Sequence, residues 1–246
     1  MKKRNAIFSK WVRTVNENGK LSLSHEFNEL LKSANRTFDC PKGTYLFREG
    51  QEANEVYVIL SGKVQILKIH PSGQELLLRL SGTNDIVGEL TLFTIDPKYI
   101  FSARVIEDSR IAALNICDLE RAFFKNSKLA LEFLKWMNDH MRKTMTKFKD
   151  LVLYGKKGAL YSTLIRLSNS YGAVGEEGIT IDVPLTTQDL ANFCGTAREI
   201  VSRMLSDLKK MGIISIRKRK IVIHDICYLK KENHCDNCPI EYCNVD

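Results

Sequence analysis

The sequence predicts an α+β protein built of three successive parts: an N-terminal double-stranded β-roll of jelly-roll type, a long dimerisation helix, and a C-terminal winged helix-turn-helix with a cysteine-rich tail. Three observations predict it. Residues 38–116 largely alternate apolar and polar side chains in short runs broken by glycine. Residues 118–154 hold neither proline nor glycine, and apolar residues recur there at spacings of three and four. Residues 186–225 read as a helix, a glycine turn, a second helix and a basic hairpin. The parts then run 1–125, 126–154 and 155–232, with the tail over 233–246.

Bulk properties bound the partners. The chain has 246 residues, 44% of them hydrophobic, enough for one large or two modest cores. A net charge of +8 favours a polyanionic partner without identifying it. "MKKRNAIFSKWV" is not followed by an apolar run, and no stretch is long enough to cross a bilayer, so a cytoplasmic location without a membrane partner is expected. Seven cysteines, an odd number thinly spread outside the tail, suit a reducing compartment better than a disulfide framework. No nucleophile–base pair, P-loop or GxGxxG is visible, which argues against an enzyme.

The β-roll strands are carried by "TYLFREG", "EVYVILSGKVQILKI", "GQELLLRLSG" and "SARVIEDSRIAALNI", with breaks at Gly50, Gly62, Gly73 and Gly82. In the long helix Leu134, Met137, Met141, Thr144, Phe148 and Leu151 follow the alternation of a two-helix seam and are flanked by charge, so they are the expected homodimer interface. Gly155-Lys156-Lys157-Gly158 breaks that helix. A further helix, "ALYSTLIRLSNSYG", and a loop, "AVGEEGITIDVPL", follow.

"TTQDLANFCGTAREIVSRMLSDLKKMGII" contains two amphipathic helices joined at Cys194-Gly195-Thr196. In a helix-turn-helix the second helix enters the major groove of double-stranded DNA. Its start presents Arg198, Glu199, Ser202 and Arg203, and these types match the groove: arginine to guanine, glutamate to cytosine N4, serine to base or phosphate. Thr187 joins the expected DNA-binding set. So do Arg217, Lys218, Arg219 and Lys220, at the tip of the hairpin "GIISIRKRKIVIHD", as a wing against phosphate.

In the tail, "HCDNCPIEYC" places Cys235, Cys238 and Cys243 as C-x2-C-x4-C. The spacing suits structural zinc, an iron–sulfur cluster or a thiol switch, and does not separate iron from zinc. His234 or Cys227 could complete a zinc site. Cys40, Cys117 and Cys194 lie in apolar contexts and read as inert core thiols.

From about Phe38 to Asp225 the chain resembles the cyclic-AMP receptor/Fnr family of bacterial transcription regulators. "KGTYLFREGQEANEVYVILSGKVQIL" is similar to that family's β-roll, "VGELTLF" to its effector-pocket loop, and "LTTQDLANFCGTAREIVSRMLSDLKKMGII" to its DNA-binding signature. Arg198, Glu199 and Arg203 resemble the readers of the cyclic-AMP receptors; Glu199, Ser202 and Arg203 resemble those of Fnr. The resemblance implies a dimer on palindromes related to TGTGA or TTGAT, acting with RNA polymerase. Gly88, Glu89 and Ser102 match the nucleotide pocket, but the family's phosphate-holding arginine is replaced by Phe101 and its paired hydroxyls by Thr144-Met145. A vestigial pocket is implied, with cyclic AMP not its ligand, although Arg104 is nearby.

The C-terminal C-x2-C-x4-C resembles the Bacillus-type Fnr branch in particular. That resemblance implies an oxygen-responsive activator of anaerobic respiration and fermentation genes, with one [4Fe-4S] cluster per subunit. Its ligands would be Cys235, Cys238, Cys243 and, as the branch's carboxylate, Asp150, with Cys227 the runner-up fourth ligand. The alternative is a member of the same family with a structural zinc tail and a small-molecule effector in the β-roll.

Overall fold

The computed structural model describes residues 14–15, 21–22, 31, 34–235 and 242–245. They fall into two compact units, Met1–Ile66 with Ser81–His140, and Leu67–Leu80 with Met141–Asp246.

In the first unit β1 (Thr14–Val15) pairs antiparallel with β2 (Leu21–Ser22). The β-roll comprises β3 (Arg36–Cys40), β4 (Tyr45–Phe47), β5 (Glu55–Ile69), β6 (Glu75–Ser81), β7 (Ile86–Val87) and β8 (Ser102–Asn115). Strand order is β3-β8-β5-β6, with β4 on β8 and β7 on β5. Every second residue points inward, as a pleated strand requires: Val56, Val58, Val64 and Ile66 on β5, and Ala103, Val105, Ile111 and Ala113 on β8, are all buried. A 3-10 turn over Glu89–Thr91 follows Gly88. Helix α1 (Ile116–Lys125) is capped by Asn115, whose side chain accepts from the amides of Cys117 and Asp118.

The uninterrupted helical run expected from residue 118 is divided. At Asn126 α1 ends, and the Asn126 side chain accepts from the amides of Lys128 and Leu129, starting the next helix. Helix α2 (Ser127–Tyr171) continues to a break at Gly155, whose φ of 59° and ψ of −154° suit only glycine. Of the expected seam residues on α2, Leu134, Met141, Thr144, Phe148 and Leu151 are exposed and Met137 is half-buried. Leu131, Met145 and Val152 are exposed as well. The exposed apolar residues of α2 thus include 131, 134, 141, 145, 148 and 151–153, among them Leu134, Met141, Phe148 and Leu151 of the expected seam.

The second unit contains β9 (Gly172–Gly175), β10 (Gly178–Ile181), α3 (Thr187–Cys194), α4 (Arg198–Lys210), β11 (Ile214–Arg217), β12 (Lys220–Ile223) and α5 (Ile226–Glu232). Its antiparallel sheet has the order β11-β12-β10-β9. Much of the run 173–185 expected as loop is therefore strand, in β9 and β10, and Gly172, expected to end the preceding helix, opens β9. Ile179 and Ile181 register with Ile223 and Ile221. Gly178 is there for close approach, since a Cβ on it would lie 2.2 Å from the Ile223 carbonyl oxygen. Leu160, Leu164, Leu190, Val201, Leu205 and Leu208 form the core, and Cys243 and Val245 of the tail join it. Among the described residues no helix is long and apolar enough to cross a membrane.

Candidate DNA-contact surface and tail site

Helix α3 begins with a capping box: Thr186 Oγ1 accepts from the Asp189 amide, and Asp189 Oδ2 accepts from the Thr186 amide. It ends at Gly195, in left-handed conformation at φ 58°, and α4 starts three residues later. Burial of Val201, Leu205 and Leu208 fixes how α4 is rolled. The roll leaves Arg198, Glu199, Ser202 and Arg203 exposed together on one face, and none of the four bonds to another described side chain. Their donors and acceptors are thus open to base edges. Thr187, the first residue of α3, is half-buried; the cap itself is Thr186.

The wing's four basic residues divide into two pairs. Arg217 ion-pairs with Glu177 at 2.8 Å, and Lys220 pairs with Asp182. Lys218 and Arg219 form the tip, exposed, at φ 49° and 64°. A two-residue turn in this conformation favours asparagine and glycine. Two cations there are held at a conformational cost, and among the described residues they are the wing side chains without an ion-pair partner.

At the C-terminus the structure brings Asp150 and both described ends of the tail into one neighbourhood. Asp150 is buried, not a solvated helix residue. Its Oδ2 accepts from Ser162 Oγ at 2.5 Å and faces Arg166 Nη2 at 3.3 Å. Its Oδ1 makes no hydrogen bond among the described residues, although Lys149 Nζ lies 3.2 Å away. Arg166, 2% exposed, also donates to the Tyr242 carbonyl at 2.8 Å. Asn169 Nδ2 donates to the Cys243 carbonyl at 2.6 Å, the Val245 amide donates to Ser170 Oγ, and Arg142 donates to the Tyr242 hydroxyl. At the tail's start the Asn233 side chain donates to the Gly158 carbonyl, and His234 stacks on Tyr154. Cys243 is buried and Cys235 half-buried. Cys238 lies outside the described residues. Among the described residues no three Cys, His, Asp or Glu side chains converge as a ready-made metal site. Cys227 is exposed on α5.

Arg166, Asn169 and Ser170 were not singled out in the sequence, yet they left a signal there. Ser162, Arg166 and Asn169 form a polar stripe at helical spacing on a helix whose Leu160, Leu164, Ile165 and Leu167 are buried. An arginine on such a helix face needs a buried partner.

The β-roll pocket is small. A cavity of about 30 Å³, enough for a water or two, is lined by Gly88, Glu89, Thr91, Tyr99 and Phe101 among others. Phe47 and Tyr99 stack within it at 3.9 Å. Ser102 is buried, and its hydroxyl accepts from the Glu49 amide. Arg104 donates to the Tyr45 hydroxyl at 3.3 Å.

The remaining thiols differ from one another. Burial pushes the Cys194 thiol up to about 12, and Cys40 is also raised by burial. Cys117, expected in the core, is exposed instead, because the helix it opens turns its second position outward and buries Ile116 and Leu119.

Known proteins divide along the same lines. The cyclic nucleotide-binding domain family matches residues 38–126, and the Crp-like helix-turn-helix domain family matches residues 158–232. The chain is 52% identical to the "Anaerobic regulatory protein" of Bacillus subtilis over 91% of its own length and 94% of that protein's. It is 28% identical to the CRP-like cAMP-activated global transcriptional regulator of Mycobacterium tuberculosis, over 76% of this chain and 83% of that protein. The c-di-GMP responsive global regulator CLP of Xanthomonas campestris shares the fold, with a TM-score of 0.72 at 22% identity, covering 81% of this chain and 98% of that one. Two domains matched in order, and more than half of the residues shared with one regulator over nine-tenths of the chain, place this protein in the Crp/Fnr family of DNA-binding transcription regulators, not among enzymes.

Proposed function

We propose that this regulator responds to oxygen through one [4Fe-4S] cluster per subunit, held by Cys235, Cys238, Cys243 and Asp150, and that it activates genes of anaerobic respiration and fermentation. The observation that carries the reading is Asp150. Asp150 Oδ1 is buried and makes no hydrogen bond among the described residues, with only the ammonium of Lys149 facing it at 3.2 Å; a buried carboxylate oxygen so weakly held is costly, and this one lies beside the anchored ends of a three-cysteine tail. Three thiols and one carboxylate are a donor set that fits iron, and the likeness to an anaerobic regulatory protein supports the same reading.

When bound, such a cluster supplies iron–sulfur bonds that oxygen attacks. The chain's own residues determine what depends on them. Asp150 stands five residues before the Gly155 break, and the tail follows α5 directly. Ligands drawn from both would tie the end of the helix-turn-helix domain to the end of the dimer helix. That junction sets where α4 points, and a dimer reading a TGTGA-like palindrome needs its two recognition helices about 34 Å apart. Arg198, Glu199, Ser202 and Arg203 read bases, Lys218 and Arg219 hold phosphate, and the stripe through Leu134, Met141 and Phe148 joins two cytoplasmic copies that work with RNA polymerase. Cyclic AMP is not the ligand of the β-roll: the cavity holds about 30 Å³, with Phe101 where a phosphate would need a cation.

The test is an absorption spectrum of protein purified without oxygen, taken before and after exposure to air, with iron and sulfide assays. A brown protein whose visible band bleaches in air is expected. A colourless protein carrying zinc would overturn oxygen sensing, leave DNA binding intact, and make the tail a structural zinc site in a regulator with a small-molecule effector.

A further inference from the structure

Arg166 is the largest fully buried polar side chain among the described residues, and its guanidinium links three separate pieces of chain. Nε donates to Ser162 Oγ at 3.0 Å on its own helix segment. Nη2 donates to Thr146 Oγ1 at 3.0 Å and to Asp150 Oδ2 at 3.3 Å, both upstream of the Gly155 break. Nη1 donates to the Tyr242 carbonyl at 2.8 Å, in the residue before Cys243. Only a planar fork of five donors makes these contacts together; a lysine ammonium is a point charge and does not.

We infer that Arg166 is the positioning residue of the tail site. By holding Asp150 Oδ2 together with Ser162, it leaves Oδ1 as the carboxylate oxygen that makes no hydrogen bond among the described residues and faces only the Lys149 ammonium, 3.2 Å away. By holding the Tyr242 carbonyl, it sets where Cys243 enters, and Asn169 repeats the hold on the next carbonyl. It also supplies the counter-charge that lets a buried carboxylate stand without a metal, so the junction stays folded when the site is empty. The metal half of this role rests on the proposed cluster; the tail-docking half does not.

The experiment compares wild type with Arg166→Gln, Arg166→Lys and, as a milder variant that folds if Arg166→Gln does not, Ser162→Ala. In cluster-free protein the rate of maleimide labelling is followed at Cys243 and at Cys194 by mass spectrometry, Cys194 being buried in the same unit and reporting its general opening. Iron uptake and the visible spectrum are then followed on anaerobic reconstitution. Arg166→Gln is expected to raise the ratio of Cys243 to Cys194 labelling about tenfold, because a buried thiol reacts through local opening and Cys194 reports only what the unit as a whole loses. It should take up less than half the iron, Arg166→Lys should fall between it and wild type, and Ser162→Ala should change both in the same direction by less. Wild-type labelling of Cys243 in Arg166→Gln would overturn the inference. So would a parallel rise at Cys194, which would make Arg166 a general stabiliser. If wild type takes up no iron, the cluster proposal fails, and the labelling arm still decides whether Arg166 docks the tail.

Discussion

Replacing Asp150 by alanine has a structural consequence that must be separated from any loss of metal. The Asp150 and Arg166 side chains are 6% and 2% exposed and lie 3.3 Å apart, so solvent screens the pair little. Removing the carboxylate strands a guanidinium in the core, which costs about 3–5 kcal/mol. Exchanging both groups, as in Asp150→Ala/Arg166→Met, replaces a buried ion pair by apolar surface and is close to neutral on that count. The double variant still gives up the hydrogen bonds of Arg166 to Ser162, Thr146 and Tyr242, worth about 1 kcal/mol each. Two changes should therefore destabilise less than one. With a urea m-value of about 2 kcal/mol/M, the midpoint falls by about 2 M for the single variant and about 1.5 M for the double. Circular dichroism in urea on cluster-free protein measures this without a contribution from metal binding. A single variant within about 0.5 kcal/mol of wild type would refute the burial argument. A double variant less stable than the single would refute the pairing. Iron content of Asp150→Ala is then interpretable only beside its stability.

Four further outcomes are expected. Phe148→Glu places a charge on the stripe where the ring is 61% exposed, and sedimentation at micromolar concentration should find it monomeric and weak on a palindrome while wild type is dimeric; a dimeric variant would move the interface off α2. Arg203→Ala should lose about 1–3 kcal/mol against its best sequence and relax preference at one position, whereas Lys218→Ala should weaken all sequences alike and reduce the salt slope by about one, both read by competition binding across a salt series. Thr186→Ala removes the side-chain half of the capping box and should cost about 1 kcal/mol in thermal unfolding, with Thr187→Ala changing little. Cys194, whose thiol is raised from 9.0 to about 12 in the folded protein, stays neutral there after it has ionised in the unfolded chain, so stability should fall as pH rises from about 9 towards 12; Cys194→Ser should flatten that decline in a urea–pH series.

The DNA-contact face was legible in the sequence because it depends on local spacing. Arg198, Glu199, Ser202 and Arg203 stand one turn apart on a helix whose apolar positions already say which side is buried. The tail motif was legible for the same reason, since C-x2-C-x4-C needs only neighbouring residues. Where local signals misled, a distant partner was responsible. The glycine-rich run 173–181 reads as loop but largely forms strands, because its pairing partner β12 lies some forty residues on. The ion pairs of Arg217 with Glu177 and of Lys220 with Asp182 were not legible either, since they join residues some forty positions apart; these pairs are exposed, and a surface pair of little net energy leaves both cations available to phosphate.

By itself the sequence determined the order of the parts, the apolar faces of each helix, the break at Gly155 and the chemistry available in the tail, because these follow from residue type and periodicity. Only the tertiary structure decided that Asp150 is buried, that one of its oxygens is held by Ser162 and Arg166 while the other makes no hydrogen bond among the described residues and faces only Lys149, and that the tail is docked on Arg166, Asn169 and Ser170. The tail's partners lie 74 to 76 positions before it, beyond the reach of any local pattern. Burial and hydrogen-bond partnership belong to the packed chain, and the cost of a charge depends on what the fold places beside it.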